Sequence, residues 1–287
     1  MAVKTDNTVA NENTTDAEFR LWSLFIDSIF LLASCWVDTA ATGTINFTTV
    51  THPLVANTSM GFKVYRMNDT LQSTQPVFVK IEYGSAAAAA TPAIWFTIGT
   101  THDGAGNLGS ILFVRTQLSL GGSGATATKC VGSADTNRIA FGLFLTTFPL
   151  WFSLERTKDS TGADTGVGLL LSYGLATTTH ASAYLPFLTS IPPKTVGLHC
   201  ILTNESPSAW DGDVGVSAMI PMGTAPKQPG MNIILVRASD FADYAGPVVT
   251  IYGASHTYQH CGLNCTTLKA GAGALIDANI RLCLRYE

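Results

Sequence analysis

Charge is what this sequence has least of. Asp, Glu, Lys and Arg make up 13% of its 287 residues, about half the ~25% of an ordinary soluble domain. Lys and Arg are scattered singly, without the basic cluster that a phosphate backbone needs, which argues against nucleic-acid binding. A formal net charge of −4 is too small to steer the chain toward polyanions or membrane surfaces. Long hydrophobic runs are missing as well. The most apolar stretch, Leu21 to Val37, carries Asp27 near its middle and falls short of the ~20 residues that cross a bilayer. A carboxylate there is costly in lipid, so a helix in water is expected. Residues 1 to 20 contain neither a positive n-region nor an apolar h-region, and no secretory signal is expected. Cysteines stand far apart at 35, 130, 200, 261, 265 and 283. Without framework spacing they read as reduced and mostly buried.

What is present compensates for these absences. Hydrophobic residues make up 46% and mean hydropathy is +0.25, which excludes disorder for all but the ends. Ala, Gly, Ser and Thr stand where charges usually sit. Such a surface suits a subunit that is covered by neighbours better than it suits a free catalyst.

The patterning predicts a mainly β chain with one helix at its start. Thr15-Asp16-Ala17-Glu18 fits a capping box, which opens a helix. Leu21, Leu24, Phe25, Ile29, Leu32 and Trp36 recur at helical spacing, widened by Trp22, Ile26 and Phe30, so the helix is expected to run from Asp16 to about Cys35. So wide an apolar face predicts packing on two sides, against its own sheet and against a partner copy. Strands follow. Val77, Val79, Ile81 and Tyr83 alternate with Phe78, Lys80 and Glu82. Leu112, Val114, Thr116, Leu118 and Leu120 alternate with Arg115 and Gln117, and Ile280, Leu282, Leu284 and Tyr286 with Arg281, Cys283 and Arg285. Each series has the period of two that marks a half-buried strand. Ala93 to Ile98 and Ile233 to Val236 are apolar throughout and read as central strands. Asp103-Gly104-Ala105-Gly106-Asn107 and Asp159 to Asp164 read as hairpin tips. The expected organisation is a polar arm over 1–15, a helix-plus-β domain over 16–120, and a second β region over 121–287. The boundary is placed at Gly121-Gly122-Ser123-Gly124. The fold class is an N-terminal amphipathic helix followed by antiparallel β-sandwich-like sheets. The arm is expected to be held by a neighbouring copy.

No residue constellation reaches the standard of a catalytic or metal site. His256, His260, Cys261 and Cys265, with His199-Cys200 at a distance, have zinc-compatible atoms but no zinc spacing. Asp103/Asn107, Asp159/Asp164 and Asp211/Asp213 offer oxygens for calcium, yet turn chemistry explains them more simply. Glycan hydrolysis needs facing carboxylates, and nothing pairs Glu82, Glu155 and Glu205. Trp95, Trp151 and Trp210 could stack on sugars, although strand tryptophans are usually interior. A nucleophile elbow is missing, and the Gly-rich segments are not followed by helices as a phosphate cradle requires. No catalytic residue, cofactor or metal ligand is therefore expected.

One stretch is more specific. Gly61-Phe62-Lys63-Val64-Tyr65-Arg66-Met67-Asn68-Asp69-Thr70-Leu71-Gln72 leads to Pro76-Val77-Phe78-Val79-Lys80-Ile81-Glu82-Tyr83-Gly84, then Pro92 to Thr100, then Asp103 to Asn107. Behind a helix and a Trp36/Asp38 segment, this succession resembles a group of tailed-bacteriophage virion structural proteins of minor tail or baseplate type. The resemblance covers about residues 16–120. It implies a non-enzymatic subunit of a virion, in tail, baseplate or fibre, assembled in the host cytoplasm. Its expected partners are copies of itself, as a trimer or hexamer, and other virion proteins, with a host surface glycan as a further candidate. The alternatives are a head-decoration or head-fibre protein, and a host-surface carbohydrate-binding or depolymerising module. Catalytic residues are not implied by the resemblance.

Overall fold

The computed structural model describes residues 3–10, 15–86, 92–119, 127–144, 149–159, 161–174 and 179–187, and beyond them the backbone of eight short strand segments between 194 and 285. The chain starts with a strand, β1 (Val3–Ala10), and one helix, α1 (Asp16–Phe30). A short 3₁₀ turn, Leu32–Ser34, leads into β2 (Trp36–Asp38). Strands β3 (Ser59–Met67), β4 (Phe78–Ser85), β5 (Pro92–His102) and β6 (Leu108–Ser119) then add to β2 in sequence order, giving a five-stranded antiparallel sheet. A second sheet is built on β7 (Ala127–Asp135), β8 (Arg138–Phe144), β9 (Pro149–Lys158), β10 (Asp164–Gly174), β11 (Thr179–Pro186) and β12 (Lys194–Thr195), with β1 at its other end. Beyond it β13 (Gly215–Ala218), β14 (Ile233–Arg237), β15 (Val248–Ile251), β16 (Ala254–Asn264) and β19 (Ile280–Arg285) form a third sheet in the order β13-β14-β19-β16-β15. A two-residue ladder, β17 (Lys269–Ala270) with β18 (Gly273–Ala274), completes the strands. The mainly β fold class with a single N-terminal helix is the one the patterning predicts.

Thr15 caps the helix, as expected. The Glu18 amide donates to Thr15 Oγ1 at 3.3 Å and the Thr15 hydroxyl donates to Glu18 Oε2 at 2.9 Å. The helix, however, stops at Phe30 and does not reach Cys35. Ala33 and Ser34 take left-handed backbone angles, φ 46° and 58°, and this bend turns Trp36 into the first sheet. Periodicity alone could not show it, because Leu32 and Trp36 keep helical spacing across the bend.

The polar arm corrects a second expectation. Instead of waiting for a neighbour, residues 3–10 pair antiparallel with β7 of the same chain, from Val3 opposite Ala134 to Ala10 opposite Ala127. The chain thus opens in the second sheet, crosses through α1 to build the first, and returns to β1's side. Residues 121–124 lie outside the described ones. On either side of them, one buried cluster takes in Phe19, Phe30, Tyr65, Ile81, Phe96, Phe141, Phe152 and Leu170, so the helix and the first two sheets share a core.

The alternation in β4 holds, with Val79, Ile81 and Tyr83 buried and Phe78, Lys80 and Glu82 half-buried on the other face. In β6 it does not. Phe96 lies opposite Thr116, Ile98 opposite Phe113 and Gly99 opposite Ile111, so β6 carries extra residues at two bulges. Each bulge reverses the side-chain phase. Phe113 therefore turns inward, stacked on Phe96 at 5.5 Å, while Val114 is left 70% exposed.

In the second sheet both faces are covered. Phe152 and Leu154 point into the shared core, while Trp151, Ser153 and Glu155 are buried on the opposite face. Backbones of β16 and β19 lie against β7 and β8. Helix α1 approaches closely at Gly132, where an added Cβ would stand 2.4 Å from Ile29 Cδ1.

Candidate functional site

The acidic loops resolve into turn architecture. Asp103 Oδ1 accepts from the amides of Ala105 (2.7 Å) and Asn107 (3.0 Å), and the Asn107 side-chain amide donates to Oδ2 at 2.7 Å. Led by the Asn107 bond, these donors pull the Asp103 carboxyl down to about 2. The second tip repeats the plan. Asp159 Oδ1 accepts from the amides of Thr161 (2.8 Å) and Ala163 (3.0 Å) and from the Thr161 hydroxyl (2.7 Å). Both loops close through the aspartate's own amide, donating to the carbonyl four residues on. Oxygens that face their own backbone donors are oriented for an Asx turn, not for a cation. Asp211 and Asp213 lie outside the described residues.

The other candidates are dispersed. Trp151 is fully buried and Glu155 nearly so, on the face of the second sheet opposite the shared core. Glu82 sits on the first sheet and pairs with Arg115, Nε to Oε2 2.7 Å. The Arg115 guanidinium covers the Trp95 ring at 4.5 Å, and Trp95 Nε1 donates to Gln117 Oε1 at 2.9 Å. Glu82 and Glu155 therefore belong to different sheets, and the one described tryptophan on an outer face is capped. Trp210 and Glu205 lie outside the described residues. So do Cys265 and His199-Cys200; His256, His260 and Cys261 are seen only as backbone in β16. Among the residues with described side chains, no three His, Cys, Asp or Glu gather as a metal would need. Cys35 is a free, buried thiol pushed up by burial.

Two buried polar centres were not legible in the sequence as sites. In the first, the Tyr65 hydroxyl donates to Asp27 Oδ1 at 2.6 Å and stands 2.9 Å from the Tyr83 hydroxyl. Lys63, paired with Asp38, lies nearby. Burial pushes the Asp27 carboxyl up against the opposing Tyr65 bond and Lys63 charge, and holds both tyrosines neutral. The one charge in the apolar stretch thus meets a phenol inside the protein. In the second, the fully buried Arg156 pairs with Asp69. Its Nη2 donates to the Gln75 carbonyl at 2.9 Å, and its guanidinium lies 5.0 Å over the Phe187 ring. This pair ties the β3–β4 connection to β9.

A raised Asp27 value carries a pH signature. Burial favours the protonated acid, so its contribution to stability is complete below the ordinary value of 3.8 and is lost as pH rises through the higher folded value. Asp27→Asn cannot ionise. The difference in unfolding free energy between variant and wild type is therefore expected to move in favour of the variant from pH 3 upward, in urea titrations. Parallel pH profiles for the two proteins would sink this account.

Exposed apolar side chains occur at Leu54, Val55, Ile111 and Val114 and along the outer face of α1 with its cap, where they form a row. Phe19, Trp22, Phe25, Ile26, Ile29 and Phe30 are buried, but Leu21, Leu24 and Leu31 are 53%, 42% and 37% exposed. The sequence placed Leu21 and Leu24 in an apolar face expected to pack on two sides; the structure puts them on the side away from the sheets. A stripe wider than one face of a helix has to leave one edge uncovered. Among the described residues no helix is long and apolar enough to cross a membrane.

No protein-family model matches the chain, and a search of curated proteins finds no similar sequence.

Proposed function

We propose that the protein is a non-enzymatic structural subunit of a bacteriophage virion, placed in the tail, baseplate or fibre apparatus and working through association with its own copies. The observation that carries this reading is the outward apolar edge of α1 in a chain with half the usual charge. Leucines held at the surface of a helix whose other face is already packed lose nothing internally by being covered, and covering them removes apolar area from water. The described acidic groups add support. Asp27, Asp69, Asp103, Asp159 and Glu82 each answer to a local partner, as in a protein whose polar groups hold its shape. The resemblance of residues 16–120 to tailed-phage virion proteins supplies the assembly.

Burial of Trp151 and capping of Trp95 by Arg115 take two of the three candidate tryptophans out of any aromatic platform, which weighs against the glycan-directed alternative; Trp210 lies outside the described residues. Cross-linking of purified particles followed by mass spectrometry tests the reading. Peptides of this chain are expected linked to one another and to tail proteins at fixed stoichiometry. Their absence from purified particles would overturn it.

A further inference from the structure

The exposed positions of α1 have a spacing of their own. Ala17, Leu21, Leu24 and Ser28, with Leu31 at the cap that follows Phe30, are all exposed, and they follow one another alternately by four and three residues. That is the repeat of a coiled-coil seam, in which positions alternately three and four residues apart meet a partner helix. From this spacing we infer that α1 packs through these five positions against α1 of a second copy of the chain, an inference that rests on the self-associating role proposed above.

Three observations make the seam fit a copy of itself. Its side chains are small or apolar, so the same surface can face itself in an isologous or cyclic contact without opposing like charges. The polar member is already satisfied: the Ser28 hydroxyl donates to the Phe25 carbonyl at 2.6 Å, and it presents no stranded donor to a partner. The charged residues flanking the seam are drawn back into their own chain. Arg20 Nε donates to the Val50 carbonyl at 2.7 Å, and Asp27 accepts from Tyr65. A seam of this length, about 22 Å, covers less than the ~800 Å² per partner of a specific interface. The rest is at hand beside it. Helix α1 lies against β1, and β1 is the end strand of its sheet among the described residues, an edge that can extend the contact.

The test uses the full chain. Sedimentation velocity of the wild type is expected to show an oligomer, and Leu24→Glu is expected to weaken its association at least tenfold with an unchanged circular dichroism melt. Ser28→Cys, oxidised with copper phenanthroline, is expected to give a covalent dimer beyond the wild-type background. A second, milder variant, Leu21→Gln, guards against misfolding of the first. If the chain is an oligomer that neither leucine variant weakens and Ser28→Cys does not cross-link, the seam is overturned while self-association stands. A monomer at tens of micromolar overturns both.

Discussion

Replacing Asp69 by alanine is expected to lower the unfolding free energy by about 3–5 kcal/mol, the cost of leaving one member of a buried ion pair unmatched. The side chains of Arg156 and Asp69 are 0% and 5% exposed, so no solvent is available to take the place of the lost carboxylate. Arg156 Nη2 would retain the Gln75 carbonyl and the Phe187 ring, but neither carries a compensating charge. Against a total stability of about 5–15 kcal/mol for a folded protein, such a loss shows as a large fall in the urea midpoint. Arg156→Lys is expected to be damaging as well, because an ammonium cannot reproduce the planar fork that meets Asp69 and Gln75 together. The double variant Asp69→Leu/Arg156→Met removes both charges and is expected to recover most of the loss. A double variant as unstable as the sum of its two single variants would show that the pair is not coupled, and would sink the argument.

How much of this was legible in the sequence depends on the range of the interaction. The helix cap at Thr15, the alternation of Val79, Ile81 and Tyr83, and both aspartate loops are set by neighbours within a few residues, and each was readable. The helix end was not, because a bend at Ala33 and Ser34 leaves the hydrophobic spacing intact. Nor was the phase of β6, since its two bulges are defined only by the register against β5. Pairing of β1 with β7 joins residues more than a hundred positions apart, and a polar Thr- and Asn-rich arm gives no local sign of a strand. The same limit applies to the two buried centres. Asp27 stood out as a charge in an apolar run, but its partner Tyr65 looked like any inward strand residue. Asp69 and Arg156 are separated by 87 residues and carry no motif. The candidate interface was half legible: the helix was identifiable, but only the structure shows that Leu21 and Leu24 face outward while Trp22, Ile26 and Phe30 face in.

Truncating Phe30 is expected to be the most damaging single change within α1. Its ring stacks on Tyr65 of the first sheet at 4.1 Å and 10° between planes, meets Trp36 edge-on at 5.5 Å, and stands 6.2 Å from Phe141 of the second sheet. One side chain therefore fills the space where helix and both sheets converge. Phe30→Ala removes the ring's burial and leaves a cavity walled by aromatic groups that cannot collapse inward without breaking their own contacts; such changes cost about 3–5 kcal/mol. The effect should reach the polar centre next to it. Tyr65 is positioned by that stacking, so the Asp27–Tyr65 hydrogen bond is expected to loosen, with loss of near-UV circular dichroism signal before global unfolding. Leu24→Ala on the opposite face supplies the contrast. It deletes a half-exposed side chain and is expected to cost less than about 1 kcal/mol while weakening association. If Phe30→Ala were as mild as Leu24→Ala in denaturant titrations, the assignment of inner and outer faces to α1 would be wrong, and the self-association seam would fall with it.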